Sequence, residues 1–514
     1  MKGIFMKKIL NRLFSRMAIT VFLVIIQLAV MVLGIIFLQD RYIYVAGALK
    51  LLSVVVVLYI ITKDGNPMAK MAWMVFILLF PILGGLMYIL FGHVFMSRRL
   101  KKNMLKVYQQ EIYENVKGDN CCDSEELRRE PVYRISKYME EVGGAAIYKN
   151  TKVKYYAMAD DVMEDLLNDL KSAKKYIFME YFIVDKGEMW DAILEVLKEK
   201  AKEGLDVRFM YDDIGSVFNV PKYYWKEIES YGIKCMAFNQ VVPFMATIFN
   251  NRDHRKITVV DGKIAHTGGY NIADEYINKK QRFGVWKDSG VRLEGEGAWS
   301  FTVMFLQLWN SFRYSEGSFA KYKVEEDFSN IEDGYVQPYK TNPLARENVG
   351  ENLYIQMIND ARDYIYIFTP YLIVCNELMT ALKLAGKRGV DVRIVTPAIP
   401  DKKYIYEMTK SSYSELITAG VRIYQYTPGF IHSKTLLVDD SLASVGSINF
   451  DNRSFYHHFE CGTLFYKSEA IADVKRDMSD TFAASEEVDL LWCRRNTSKV
   501  SIRGAVLRLL SPLL

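Results

Sequence analysis

His254-Arg255-Lys256-Ile257-Thr258-Val259-Val260-Asp261 is followed, after a six-residue gap, by Gly268-Gly269-Tyr270-Asn271. The same pattern returns as His432-Ser433-Lys434-Thr435-Leu436-Leu437-Val438-Asp439 and, after the same gap, Gly446-Ser447-Ile448-Asn449. With residue types used at roughly 5 % each, even one chance match in a chain of this length is rare, on the order of one in a thousand. Two copies with identical spacing therefore mark a duplication. Residues 257–260 are β-branched throughout and Asp261-Gly262 is a hairpin signal, so the motif predicts a strand, a tight turn and a return strand ending at the glycines. Alternate strand residues share a face. His254 and Lys256 therefore project together, as do His432 and Lys434, while Asp261 and Asp439 have the opposite parity and fall at the turn. The aspartates read as orienting or structural groups. The glycines allow backbone to approach an anion closely, and Asn271 and Asn449 add an amide to each copy.

An imidazole, an ammonium and an amide make half of a phosphate site, and two such halves facing each other make a phosphodiester-handling centre. One histidine attacks phosphorus while neutral, and the other, protonated, donates to the leaving alkoxide. Both states are accessible near an ordinary histidine pKa of ~6.5. The lysines stabilise the added negative charge at phosphorus. The candidate catalytic set is His254, Lys256, Asp261, His432, Lys434 and Asp439. Asn271, Asn449, Asp288 and Glu460 are the candidate substrate-binding and supporting groups. Asp288 and Glu460 each follow one motif, and a carboxylate on a ring nitrogen would fix its tautomer. Which acid serves which histidine stays open, pairing across the two copies included. The adjacent pair His457-His458 suggests a metal, but neighbours on a strand face opposite ways and no third ligand has suitable spacing. No metal and no cofactor is expected.

The chain has 514 residues, half of them apolar, and a net charge of +5. Its mean hydropathy is near zero. That length accommodates two or three domains, and the mild charge suits an anionic surface without calling for nucleic acid. Six scattered cysteines with no C-x-x-C read as free thiols. Apolar runs at 17–38, 42–61 and 72–92 read as a membrane-anchoring region within residues 1–100, each long enough for a ~30 Å hydrocarbon core. Basic residues stand before the first run and after the third, so both ends ask for the cytoplasmic side. Three full crossings cannot satisfy that. The third run, with Pro81, Gly84 and Gly85, is the candidate re-entrant or interfacial hairpin. A basic linker at 101–130 leads to globular sequence.

A second repeat runs through that globular part. Residues 173–178 (Ala-Lys-Lys-Tyr-Ile-Phe) are echoed by 361–366 (Ala-Arg-Asp-Tyr-Ile-Tyr), and 204–208 (Gly-Leu-Asp-Val-Arg) by 389–393 (Gly-Val-Asp-Val-Arg). Each half then reads strand, helix, strand, helix, motif hairpin, which predicts an α/β sandwich per half in a pseudo-two-fold arrangement. The halves are placed at 131–330, with the first motif at 249–276, and at 331–490, with the second at 427–454. The polar stretch 325–348 is the candidate linker between them. Residues 491–514 read as a basic amphipathic tail suited to anionic lipid.

The duplicated pattern resembles the HKD motif of the phospholipase D superfamily. Asn251-Arg252-Asp253-His254-Arg255-Lys256, the run from Gly446 to Ser454 followed by Glu460-Cys461, and the order Asn66-Pro67, Trp73, Pro81, Gly84, Tyr88, Gly92 are similar to bacterial cardiolipin synthases. The resemblance implies transfer of a phosphatidyl group between two phosphatidylglycerol molecules, giving cardiolipin and glycerol through a phosphohistidine. It also implies that His254 is the nucleophile and that the two acids orient the histidines. A hydrolytic phospholipase D or another phosphatidyltransferase would use the same site, and a superfamily nuclease is disfavoured by the apolar N-terminal region. The implied location is the bacterial cell membrane, as a multi-pass protein with a cytoplasmic catalytic part; oligomeric state is not implied. A cysteine replacing Asn103 should therefore react with a membrane-impermeant thiol reagent only after the cytoplasmic side is opened, and reaction from outside would reverse the placement.

Overall fold

The computed structural model describes residues 42–63, 65–92, 102, 104–107, 121–240, 251–313, 318–345 and 347–496. They fall into two compact units, an N-terminal helical one and a larger one that holds both motifs.

The helical unit contains α1 (Tyr42–Ile61), α2 (Pro67–Leu79) and α3 (Pro81–Phe91). Asn66 caps α2, its Oδ1 accepting from the Met68 and Ala69 N–H groups at 2.8 and 3.3 Å. Pro67 follows in the first turn, where a missing N–H costs nothing. Pro81 ends α2 and restarts the chain as α3. The two helices close on each other through Trp73 and Tyr88, edge to face at 5.5 Å. A Cβ on Gly84 would lie 2.6 Å from the Ile77 Cα, so only glycine admits this approach. The spaced Asn-Pro, Trp, Pro, Gly and Tyr positions are thus the parts of one helical hairpin.

Among the described residues no helix is long and apolar enough to cross a membrane. The run 17–38 lies outside the described residues. The run 42–61 coincides with α1. The run 72–92 is not one rod but the broken hairpin of α2 and α3.

In the larger unit the first half has strands β1 (Thr151–Tyr156), β2 (Tyr176–Tyr181), β3 (Asp206–Asp212), β4 (Lys234–Phe238), β5 (Arg252–Asp253), β6 (Lys256–Val260), β7 (Ile264–Gly268), β8 (Val285–Lys287) and β9 (Gly290–Gly295). The second has β10 (Tyr335–Thr341), β11 (Tyr364–Phe368), β12 (Asp391–Pro397), β13 (Arg422–Tyr426), β14 (Gly429–Ile431), β15 (Thr435–Val438), β16 (Leu442–Gly446), β17 (His458–Tyr466) and β18 (Ser485–Val488). The first sheet runs β1-β9-β7-β6-β2-β3-β4 and the second β10-β17-β16-β15-β11-β12-β13-β18. In each, three parallel strands (β2, β3, β4; β11, β12, β13) meet the antiparallel motif hairpin (β6–β7; β15–β16). Helices Glu188–Lys202 and Asn376–Lys387 make the crossovers and bury one face each. Each half is therefore the expected α/β unit, with its own apolar core.

The duplicated aspartates explain the duplicated strand starts. Asp261 and Gly262 both have positive φ, as do Asp439 and Asp440, which is the geometry of a type I′ hairpin turn. The Asp261 carboxylate accepts from the N–H groups of Lys174, Lys175 and Tyr176 at 2.7, 2.7 and 2.9 Å. Asp439 accepts from Arg362, Asp363 and Tyr364 at 2.7, 2.9 and 2.8 Å. Each aspartate thus pins the first residues of the neighbouring strand.

The stretch 325–348 is not a plain linker. It contains β10, paired along its length with β17. Pro338 is tolerated there because β10 is the edge of its sheet. Of the tail, Leu490–Asn496 is helical and residues 497–514 lie outside the described residues. All six cysteines are free.

Asp261→Ala leaves three strand N–H groups without their charged acceptor. It should cost about 2–4 kcal/mol of stability, read as a lowered thermal midpoint, with activity per folded molecule retained. Unchanged stability with lost turnover would place Asp261 in the chemistry instead.

Candidate active site

Short parallel pairings between the halves build the site. β5, just before His254, pairs with the start of β17 through Arg252–His458 and Asp253–Phe459. β14, just before His432, pairs with β8 through Gly429–Val285, Phe430–Trp286 and Ile431–Lys287. The chain continues the pattern beyond both: the His254 N–H donates to the Phe459 carbonyl at 2.9 Å and the His432 N–H to the Lys287 carbonyl at 2.7 Å. Each motif histidine is therefore set against the strand that carries, or runs directly into, the other half's acid. Behind β5, the buried Asp212 carboxylate accepts from the Asp253 N–H at 3.1 Å and pairs with Arg252 at 3.3 Å.

The acids consequently cross over. Glu460 lies 2.9 Å from His254 Nδ1, and Asp288 lies 2.6 Å from His432 Nδ1. Both carboxylates are fully buried. A carboxylate partner places the ring proton on Nδ1 and leaves Nε2 with its lone pair. Ser447 also donates to Glu460, at 2.5 Å. In the first motif Gly269 stands where Ser447 stands in the second, and a Cβ there would come within 2.1 Å of Asp288 Oδ1. The two half-sites are thus alike in plan and different in detail.

Lys256 and Lys434 are buried beside their histidines, each Nζ donating to the carbonyl two residues back. Burial brings Lys256 down to about 8 and Lys434 to about 7, the latter also repelled by Lys256. Burial likewise lowers His432 to about 4, with Lys434 adding to the effect and Asp288 opposing it. His254 is driven well below the ordinary histidine value by burial, then by Lys256 and Lys434. Burial alone would raise Asp288, but attraction to His432 and Lys434 outweighs it and holds the carboxyl below its usual range. The site is a buried group of cationic side chains suited to an anion.

The remaining candidates divide. The Asn271 amide is committed to the fold: Oδ1 accepts from the Ile183 N–H at 3.0 Å and Nδ2 donates to the Tyr276 hydroxyl at 2.8 Å. Asn449 Oδ1 is buried and makes no hydrogen bond. Asp261 and Asp439 sit at the far ends of β6 and β15, about 17 Å along the strand from the lysine in β6, so they do not join the histidines. One residue was missed. His458 lies beside His254, ring centroids 5.4 Å apart. Its Nδ1 is 3.6 Å from Glu460 Oε1. His458 and Glu460 are two apart on β17 and so share a face, a spacing that the sequence carries beside the more conspicuous His457-His458 pair.

Two fused α/β halves that bring duplicated His–Lys pairs together against crossed acids define a phospholipase D-type phosphatidyltransferase. The model of the cardiolipin synthase, PLD-like domain family matches residues 166–296 and 354–481, and that of the phospholipase D-nuclease N-terminal family matches 51–93. A cardiolipin synthase 2 of Bacillus cereus is 34% identical, covering 88% of this chain and 88% of its own. An uncharacterised protein of Streptococcus mutans is 41% identical, covering 89% and 99%. The chain belongs to the cardiolipin synthase family with PLD-like domains. The crystal structure of a phosphatidylserine synthase from Haemophilus influenzae shares the fold, with a TM-score of 0.53 at 14% identity, over 70% of this chain and 92% of that one.

A phosphodiester bound in the site adds negative charge beside His432 and favours its protonated form. The His432 pKa should therefore rise from about 4 toward neutrality when a non-hydrolysable phosphodiester binds, followed by nitrogen chemical shifts of the labelled ring. A pKa that stays near 4 in the complex would remove His432 as the proton donor.

Proposed function

We propose that this chain is a cardiolipin synthase that moves a phosphatidyl group from one phosphatidylglycerol to another. His254 Nε2 attacks the phosphorus of the first lipid. The bond from phosphorus to the glycerol headgroup breaks, and His432, which takes up a proton at Nε2 when the phosphodiester binds, gives that proton to the departing oxygen. His432 then takes the proton from a headgroup hydroxyl of a second phosphatidylglycerol. That oxygen attacks the phosphohistidine, the P–N bond breaks, and cardiolipin leaves. One diester is exchanged for another, so no nucleotide is consumed.

The observation that carries this reading is the crossed pairing of His254 with Glu460 and His432 with Asp288. It presents two neutral imidazoles with free Nε2 atoms beside two buried ammonium groups. As phosphorus gains a fifth ligand, the negative charge on its oxygens is taken up by Lys256 and Lys434. Each histidine gains positive charge in turn, and its buried carboxylate stabilises it.

The helical unit supports a location at the membrane. Leu51, Leu58, Leu79 and Ile89 are 67%, 58%, 67% and 57% exposed on helices that carry no acidic residue. Apolar surface of that kind is stable against lipid rather than water. Anionic lipid, as substrate and as surface, is the partner this reading implies.

With phosphatidylglycerol in mixed micelles, the full chain should release one glycerol for each cardiolipin formed. His254→Ala should lower the rate by at least a thousandfold without loss of folded protein. Phosphatidic acid as the main product would make the enzyme a hydrolase and sink the synthase reading.

A further inference from the structure

His458 is the group at the site that the transfer reaction leaves without a task. It is 8% exposed, and neither ring nitrogen makes a hydrogen bond. Glu460 Oε1, also buried, makes none either. Unsatisfied buried polar atoms are costly, and here those of His458 and Glu460 lie beside the ring of His254. One ligand atom each from His254, His458 and Glu460 lie within 4.8 Å of one another.

We infer that His254, His458 and Glu460 form a binding site for a zinc-class divalent cation, and that an ion held there switches the enzyme off. Two imidazoles and one carboxylate are a zinc donor set that leaves a fourth position open. Tetrahedral zinc with bonds near 2.0–2.1 Å needs donors roughly 3.4 Å apart. Glu460 offers one oxygen to each ring, Oε2 at 2.9 Å from His254 Nδ1 and Oε1 at 3.6 Å from His458 Nδ1. One ligand atom from each residue lies within 4.8 Å of the others, so the donors must close by up to roughly 1.4 Å to reach tetrahedral spacing. Magnesium and calcium demand mostly oxygen ligands and are poorly served by two imidazoles.

The consequence for turnover follows from the ring itself. Metal on Nε2 blocks the attacking atom. Metal on Nδ1 displaces the Glu460 hydrogen bond and moves the ring proton to Nε2, which then has no lone pair. Either mode removes the nucleophile. Lys256 and Lys434 oppose a dication, so the open position favours an anionic fourth ligand, and the site binds zinc reversibly rather than as a permanent structural ion.

The effect on rate rests on the synthase reading, whereas ion binding does not. Full-length enzyme is stripped with chelator, and zinc chloride binding is measured by calorimetry alongside cardiolipin formation. One zinc per chain is expected, with the rate falling more than tenfold at saturation and returning on addition of chelator. Magnesium chloride should do neither. His458→Asn and His458→Gln should each weaken zinc binding at least tenfold. In each variant inhibition, scored against its own metal-free rate, should shift in parallel. Absence of stoichiometric zinc binding by the native chain, or undiminished binding in both folded variants, would overturn the site. Zinc binding that is lost in these variants without any effect on the native rate would overturn the switch. A metal-free enzyme that makes no cardiolipin would instead bring down the functional reading, while calorimetry still decides the site.

Discussion

The catalytic unit depends on a pair of crossed contacts: each half's carboxylate holds the other half's histidine. Glu460 and Asp288 are fully buried, so each must have a partner that is polar and close. The partner is supplied across the pseudo-two-fold, by backbone pairing of β5 with β17 and of β14 with β8. Neither half can complete its imidazole alone. A half on its own would leave its histidine with no carboxylate to set the tautomer. The duplication is therefore maintained in one chain by the chemistry as well as by packing.

The same burial prepares the site electrically. Two lysines and two histidines are withdrawn from water, and all four lose affinity for protons. In the proposed reaction an incoming phosphodiester restores that affinity, which links substrate binding to proton uptake and makes the histidine that gains the proton the acid. Linkage also sets a stability trend. Between the ordinary histidine value of ~6.5 and about 4, the unfolded chain takes up a proton that folded His432 refuses. Stability from this group is present above that window and falls as pH drops through it.

Much of this was legible in the residues. The motif spacing gave the hairpins, the turn residues and the shared face of histidine and lysine. The echo of residues 173–178 in 361–366 gave the paired strands, though its reason, three N–H groups offered to an aspartate, needed coordinates. The pairing of acids with histidines was not legible, because strand parity orders residues within a strand and says nothing across two halves. The β10 strand hid inside an apparently polar linker because an edge strand can carry a proline and still pair on one side. The Ala298–Phe312 helix was also passed over. Nearly all its side chains are buried, so it lacks the polar face by which surface helices are found.

The measurement that bears most directly on the shared-phosphorus mechanism is a rapid acid-free quench of turnover with phosphatidylglycerol labelled in its phosphatidyl group, followed by location of the label on the protein. The account predicts one phosphatidyl group per chain, on His254, with none bound in His254→Ala. Label on His432 in the native chain would reverse the roles of the two rings. Turnover with no label on either, under conditions where a phosphohistidine survives, would contradict a covalent intermediate.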